Sequence, residues 1–268
     1  MTDAPTQDRV PSDPAESDRP EAAAPSGPAG LGELRFRSDV TVELVKSSAA
    51  DSDVLFAARV STAGEHSLDQ VGADPTRSAG LINYLMRDRH GSPFEHNSLT
   101  FFVSAPIFVF REFMRHRTFS FNEESGRYRR LEPVFYVPGA DRKLVQEGKP
   151  GHYVFVDGTP EQHKLVDEVT RRACEQAYAS YLEMLEAGVA REVARGVLPV
   201  AIYSSMYATC NARALMHFLS LRTKREDAAF PSFPQREIEM VAERMEAVFA
   251  QMMPLTHAAF ERNGRVAP

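Results

Sequence analysis

Proline placement divides this chain before any other feature does, because proline fits the first turn of a helix and is excluded from helix interiors and central strands. Pro75, Pro106 and Pro160 each stand ahead of an apolar pattern of helical period. The first predicts a helix carrying Leu81, Ile82, Leu85 and Met86, and the second a helix whose Ile107, Phe110 and Met114 recur at i, i+3 and i+7. The third predicts a long helix with Val166, Val169, Ala173, Ala177 and Leu185 facing inward, ended by Gly188. Further helices are predicted over 52–60, over 190–197 where Pro199 stops it, over 211–222 with Asn211 as cap, and over 235–253 as the last. Strands are predicted at 41–46, 99–103, 134–137 and 200–207. Helices dominate and strands interleave irregularly, so the fold class is α+β, mostly helical with a small mixed or antiparallel sheet. Six more prolines fall within residues 1–34, where Val10 and Leu31 are the large apolar groups between Met1 and Leu34. Such a stretch cannot offset its ordering entropy, so a disordered tail over 1–34 and a single domain over 35–268 are expected. Gly27, Gly30 and Gly32 follow no strand and are not read as a dinucleotide loop.

The chain's 31 Lys and Arg against 37 Asp and Glu give a formal net charge of −6. No global basic field gathers nucleic acid or an anionic membrane, so any anion site must be local. Cys174 and Cys210 are the two cysteines and stand near no second Cys or His ligand pair, which predicts neither a disulfide framework nor a metal site and fits the cytoplasm. No apolar run approaches the roughly 20 residues of a membrane helix, and no secretory leader is expected.

Residues 111–130, REFMRHRTFSFNEESGRYRR, hold six arginines and three glutamates and are locally +3 inside an acidic protein. Arg115, His116 and Arg117 are consecutive at a helix end, and Ser120, Asn122, Glu123, Ser125, Gly126 and Arg127 follow within what reads as one turn-rich loop. Forked guanidinium donors, hydroxyls and a glycine that admits the backbone match a phosphate. Two other readings use the same residues. One is a surface ion-pair network through Glu112, Glu123 and Glu124; the other is a nucleic-acid module with Phe119, Phe121 and Tyr128 as stacking platforms.

The pattern Arg115, His116, Arg117, Ser120, Asn122, Glu123, Ser125, Arg127 resembles the signature of the flavin-dependent thymidylate synthases, the ThyX family. The resemblance extends over GSPFEH at 91–96, APIFVFREF at 105–113, REVARGVLP at 191–199 and NARALMHFLSLR at 211–222. It implies a ThyX-like fold in a homotetramer with active sites where subunits meet, each holding FAD, dUMP and a folate. The implied reaction converts dUMP to dTMP with a methylene group from 5,10-methylenetetrahydrofolate and a hydride from reduced flavin, which NADPH re-reduces; no enzyme cysteine takes part. Positions matching flavin contacts are Ser92, Arg115, His116, Arg117, Glu123, Asn211, Ala212, Arg213 and His217, with Ser61 and His90 adjacent. His116 is read either as a cation on the pyrophosphate or as a neutral ring at the flavin edge. Positions matching dUMP contacts are Glu112, Phe113, Met114, Arg115, Glu123, Glu124, Ser125, Gly126, Arg127, Arg195 and Arg222. The resemblance implies that Arg195 comes from a neighbouring subunit and that Arg222 favours the N3-deprotonated pyrimidine. A flavin-binding homologue without synthase activity is the remaining alternative. Gln is also acceptable at the position of Glu112, and the loop over 223–234 is longer than the family connection, which could reshape folate access.

Overall fold

The alternating run near residue 100 becomes the centre of the principal sheet in a computed structural model of the chain, which describes residues 33–66, 74–149 and 152–268. The expected tail, except residues 33 and 34, and its glycine cluster lie outside the described residues. Strand β3 (Ser98–Pro106) buries Leu99, Phe101, Val103 and Ala105 on one face. It pairs antiparallel with β2 (Thr41–Ser48) on one side and β8 (Tyr203–Cys210) on the other, and β4 (Ser120–Glu123) adds an edge to β8. The strand predicted at 200–207 starts later because Pro199 and Ile202 close a turn, Ile202 N–H donating to the Pro199 carbonyl at 3.0 Å. Strand β4 corrects the reading of 120–127 as one turn-rich loop. Phe119 and Phe121 stack at 5.8 Å and pack on Phe113, so aromatic packing overrides the polar composition. It also removes Phe119 and Phe121 as stacking platforms, since Phe119 is buried and Phe121 half-buried.

Helix starts follow the predicted chemistry. In α2 (Pro75–Arg87), Asp74 accepts the N–H groups of Thr76 and Arg77 at 2.9 and 3.2 Å, with Pro75 in the first turn. Asn211 caps α6 (Ala212–Arg222) by accepting from Ala214 N–H at 2.9 Å. α6 and α7 (Arg236–Met252) bury Leu215, Phe218, Leu219, Val241, Met245 and Phe249 in the core beneath the sheet. The predicted final helix breaks at Met253, and an unanticipated α8 (Pro254–Arg262) follows, again with proline first.

A second core forms where α4 (Pro160–Glu186) lays Cys174, Tyr178, Tyr181 and Leu182 on Leu131, Phe135 and Ile202. Its inward face is rotated from the predicted one: Val169 and Ala173 are exposed, because the two tyrosines carry the packing and the Tyr178 hydroxyl donates to the Leu131 carbonyl at 3.1 Å. Two small ribbons complete the strands: β1 (Arg35–Arg37) parallel to β5 (Val134–Tyr136), and a hairpin of β6 (Val145–Lys149) and β7 (His152–Val156). α1 (Asp51–Ala63) and α3 (Ile107–Phe113) add Val54, Leu55, Val109, Phe110 and Phe113 to the first core, and α5 (Arg191–Ala194) is a short turn of helix after α4.

The long loop after α6 is tied down along its length. Thr223 is buried and its hydroxyl donates to the Leu219 carbonyl at 2.8 Å, Ser232 Oγ donates to the Thr223 carbonyl at 2.8 Å, and Ala229 N–H donates to the Gly264 carbonyl at 2.9 Å. Gly264 takes φ +71°, and a Cβ there would lie 2.9 Å from that of Ala229, so glycine serves both the turn and the contact. Arg265 then reaches back, donating from Nη2 to Thr223 Oγ1 at 2.8 Å and gripping Glu246 through both Nη atoms at 2.6 and 3.1 Å.

Candidate active site

Two polar clusters gather the predicted residues. The first lies where α3 and α6 end. α6 places Arg222 in its last turn, and the chain leaving α3 places His116 against it. Arg222 Nε donates to His116 Nε2 at 3.0 Å, and Nη1 donates to Glu112 Oε2 at 3.2 Å. Nη2 has no hydrogen-bond partner among the described residues. A guanidinium Nε always carries hydrogen, so His116 Nε2 must accept and its proton sits on Nδ1. Burial, then the charges of Arg222 and His217, push the His116 ring down to about 4. Of the two readings of His116, the bond accepted from Arg222 and this downward shift favour the neutral ring. Burial pushes the Glu112 carboxyl up, opposed by Arg222 and reinforced by Glu237.

Around that cluster, Arg115 and Arg117 are exposed and their guanidiniums have no partner among the described residues, which an ion-pair network would have supplied. Met114 is exposed. Phe113 is fully buried between Phe218, Phe119 and Phe121, so a ligand could meet its main chain but not its ring. Arg213 and His217 share an exposed stripe of α6 at i, i+4 spacing, and the His217 ring is 6.5 Å from that of His116. Ala212 is wholly buried and its N–H is taken by Asn97 at 2.7 Å, so its side chain and N–H are unavailable to a cofactor. Asn211 gives Oδ1 to its cap and keeps its amide donors. Arg213 lies across Gly91, where an added Cβ would come 2.5 Å from its Cζ, and it donates to Glu95 at 2.5 Å and to the Pro268 carbonyl at 2.6 Å. Ser92 opens the 3-10 turn after Gly91, which brings it beside the same arginine. His90 stacks on Tyr84 at 5.7 Å, and Ser61 Oγ bonds its own helix at the Ala58 carbonyl. Glu95, which GSPFEH displays, was not singled out from sequence; its pairing with Arg213 needs the fold.

The second cluster surrounds a cavity of about 270 Å³ lined by Glu123, Glu124, Gly126, Arg195, Leu198 and Ser204 among others. A Cβ on Gly126 would meet Leu131 at 3.0 Å and Arg195 Cδ at 3.4 Å. Arg195 therefore reaches the Glu123–Gly126 segment of its own chain. Burial raises the Glu123 carboxyl, a hydrogen bond from Ser204 opposes this, Glu124 adds to it and Arg195 opposes it. Glu124 accepts from Ser205 Oγ at 3.0 Å and pairs with Arg129 at 3.2 Å. Arg127 pairs with Glu192 at 3.0 Å, and Ser125 Oγ accepts from its N–H at 3.3 Å. Burial pushes both thiols, Cys174 and Cys210, up, and neither belongs to either cluster.

Unpaired guanidiniums, a neutral imidazole and a cavity with hydroxyl and arginine on its walls define a class: an enzyme of anionic, planar, nucleotide-like ligands. Comparison sharpens the class. The family model described as "Thymidylate synthase complementing protein" matches residues 43–255. The flavin-dependent thymidylate synthase of Streptomyces coelicolor is 74% identical over 242 residues, covering 90% of this chain and 98% of that protein. That of Tropheryma whipplei (strain TW08/27) is 58% identical over 233 residues, covering 87% and 97%. Among solved structures, the UMP/dUMP methylase PolB from Streptomyces cacaoi bound with 5-Br dUMP has a TM-score of 0.84 at 61% identity, covering 88% of this chain and 100% of that one. The chain belongs to the flavin-dependent thymidylate synthase family, whose name states both the cofactor and the product.

Proposed function

We propose that the chain converts dUMP to dTMP by reductive methylation at C5, taking its carbon from 5,10-methylenetetrahydrofolate, releasing tetrahydrofolate and using NADPH to restore the reduced flavin. The observation that carries this reading is Arg222, fixed at Nε and Nη1 by a neutral ring and a carboxylate while Nη2 stays unpartnered among the described residues. A permanently charged, pre-oriented donor of this kind stabilises negative charge developing on a pyrimidine and favours its N3-deprotonated form.

The donor set fits FAD. Arg115 and Arg117 carry unpaired guanidiniums for a pyrophosphate, and neutral His116, the Asn211 amide and His217 offer hydrogen bonds to a flavin edge. Bound FAD would supply the hydride that completes the methyl group. Ser92, Glu123 and Arg213 would complete its contacts, with Ser61 and His90 near by. Ser125, Gly126, Arg127 and Arg195 would grip the dUMP phosphate, Gly126 leaving room for it and Arg127 exchanging Glu192 for it. Glu112, Met114, Arg115, Glu123, Glu124 and the main chain at Phe113 would line the rest of the nucleotide. The cavity beside Arg195 is not lined by Glu112, His116 or Arg222, which supports a site completed by a second copy in a homotetramer. Leu165 and Val169 on α4 and Val193 and Val197 after it are exposed and suit such contacts. Small-molecule co-substrates and two free, buried cysteines suit the cytoplasm, with no nucleic-acid or membrane partner; no helix among the described residues is long and apolar enough to cross a membrane.

An anaerobic assay with FAD, NADPH, dUMP and methylenetetrahydrofolate tests the reading by following nucleotide and folate together. The expected products are dTMP and tetrahydrofolate; dTMP accompanied by dihydrofolate, or flavin bound without dTMP, would contradict it. The same assay with UMP addresses a second reading, acceptance of the ribonucleotide, favoured by the 61% identity to PolB.

A further inference from the structure

Arg222 is shared. Its Nη1 holds Glu112 Oε2 at 3.2 Å, with both side chains mostly withdrawn from solvent. A cation already paired with a carboxylate is a poor host for a second anion, because two negative charges then crowd one positive charge at reduced dielectric. The crowding is relieved when the carboxylate becomes neutral as the pyrimidine becomes charged. Resting on the dUMP reading above, we propose that Glu112 is the acceptor of the uracil N3 proton. As dUMP seats, the N3–H bond breaks, its electron pair stays on the imide, Arg222 takes the imide as partner, and the proton moves to a Glu112 carboxylate oxygen. The charges of Arg222, Glu112 and the imide sum to zero before and after the transfer.

The neighbouring groups leave this role to Glu112. His116, from the end of α3, already accepts from Arg222 at Nε2 and carries its proton on Nδ1, and its surroundings disfavour a second proton. The His217 ring on α6 lies 6.5 Å from that of His116 and has no hydrogen bond to Arg222 or Glu112 among the described residues. Glu237 on α7 accepts from the Tyr136 hydroxyl at 2.7 Å, Arg142 Nε at 2.8 Å and Gln235 at 2.9 Å, three bonds that favour its ionised form. Glu112 has one hydrogen-bond partner among the described residues, Arg222 itself. When Arg222 turns to the imide, Glu112 loses the partner that favours its ionised form, while burial and Glu237 remain to favour its neutral form. In water an imide is a far weaker acid than a carboxyl, and it is this exchange of Arg222 between partners that closes the gap.

The test is calorimetric titration of the flavin-loaded protein with dUMP at about pH 8, above the ordinary range of His and carboxyl groups. Two buffers of different ionisation enthalpy count the protons exchanged with solvent, and an ultraviolet difference spectrum records whether the bound pyrimidine is ionised. The expected result is an ionised pyrimidine with no net proton release, and release of one proton per site in Glu112→Gln, which cannot take it. Release of a proton by the unaltered protein, a bound pyrimidine that stays neutral, or a Glu112→Gln protein that binds dUMP without release would overturn the proposal. Where Glu112→Gln does not fold or bind, the two readings on the unaltered protein decide alone: ionisation without release supports the transfer and every other combination contradicts it. The dTMP assay on the same preparation separates the two levels. No dTMP contradicts the function, whereas dTMP with a proton released on binding contradicts only the role of Glu112.

Discussion

Arg222 and Arg265 bracket the anchored loop and helices that follow α6, and they use the same side chain in opposite ways. The Arg265 side chain is 2% exposed; it is bonded to both oxygens of Glu246, to Glu261 and to Thr223, leaving its neighbours satisfied. Glu246 also receives His257 at 3.1 Å and Arg225 at 3.3 Å. Burial pushes the Glu246 carboxyl up, but the hydrogen bonds from His257 and Arg265 outweigh it and hold it below its ordinary value. Glu246, His257 and Glu261 lie close enough to ligate a cation, and the Arg265 guanidinium already fills that role. The Arg222 side chain is 21% exposed, has two partners and keeps a nitrogen open. A guanidinium whose bonds are closed within the chain holds the fold, whereas one with a donor left over is available to a ligand.

The largest effect expected on the fold is at the closed arginine. Arg265→Ala strands a buried Glu246 and should cost about 3–5 kcal/mol, read as a fall of roughly 10 °C in melting temperature for a chain of this size. An unchanged melting temperature would erase the distinction between the two arginines.

Acid separates them next. The His116 ring, pushed from 6.5 to about 4, is proton-poor in the folded state, so the unfolded chain binds more protons between those values. The stability tied to the Arg222 cluster is therefore full above pH 6.5 and lost progressively as pH falls toward about 4. Glu246 is held below its ordinary 4.5, so its contribution is present above that value and lost only as pH falls through the lower folded one. His116→Gln should flatten the melting temperature across the upper window, while Glu246→Gln lowers it throughout that window. A melting temperature of the unaltered protein that ignores pH between 6.5 and 4 would remove the neutral ring from the account.

Smaller again is Thr223→Val, which takes the acceptor from Arg265 Nη2 and a bond from the Leu219 carbonyl. Chemical denaturation should show a loss of about 1–3 kcal/mol; no loss would mean that Thr223 does not couple the loop to Arg265. The smallest effect belongs to Cys174→Ala with Cys210→Ala, both thiols being buried away from either cluster. Turnover per folded molecule should match that of the unaltered protein, and a folded, flavin-bound but inactive double variant would implicate a thiol.

Local chemistry was legible in the sequence where one residue decides it. Pro75 and Pro160 open their helices, Asn211 caps α6 and the 115–127 pattern marks the polar region, because each acts on neighbours within a turn or two. The rest depends on contacts between distant segments. β4 forms because residues 120–123 pair with residues 206–209 of β8, and α4 turns a different face inward because Tyr178 meets Phe135 and Leu131. Ala212 sits within a quoted motif yet offers no free N–H, since Asn97, more than a hundred residues away, takes it. The neutrality of His116 depends on its burial and on Arg222, which lies 106 positions along the chain.

The most direct measurement is turnover and flavin content of purified Arg222→Ala. Removing an oriented charge-stabilising donor costs about 10²–10³ in rate, so the variant should melt near the unaltered protein, retain its flavin and lose dTMP formation by that factor. Normal dTMP formation by a folded, flavin-bound Arg222→Ala protein would contradict the assignment of Arg222 to the pyrimidine.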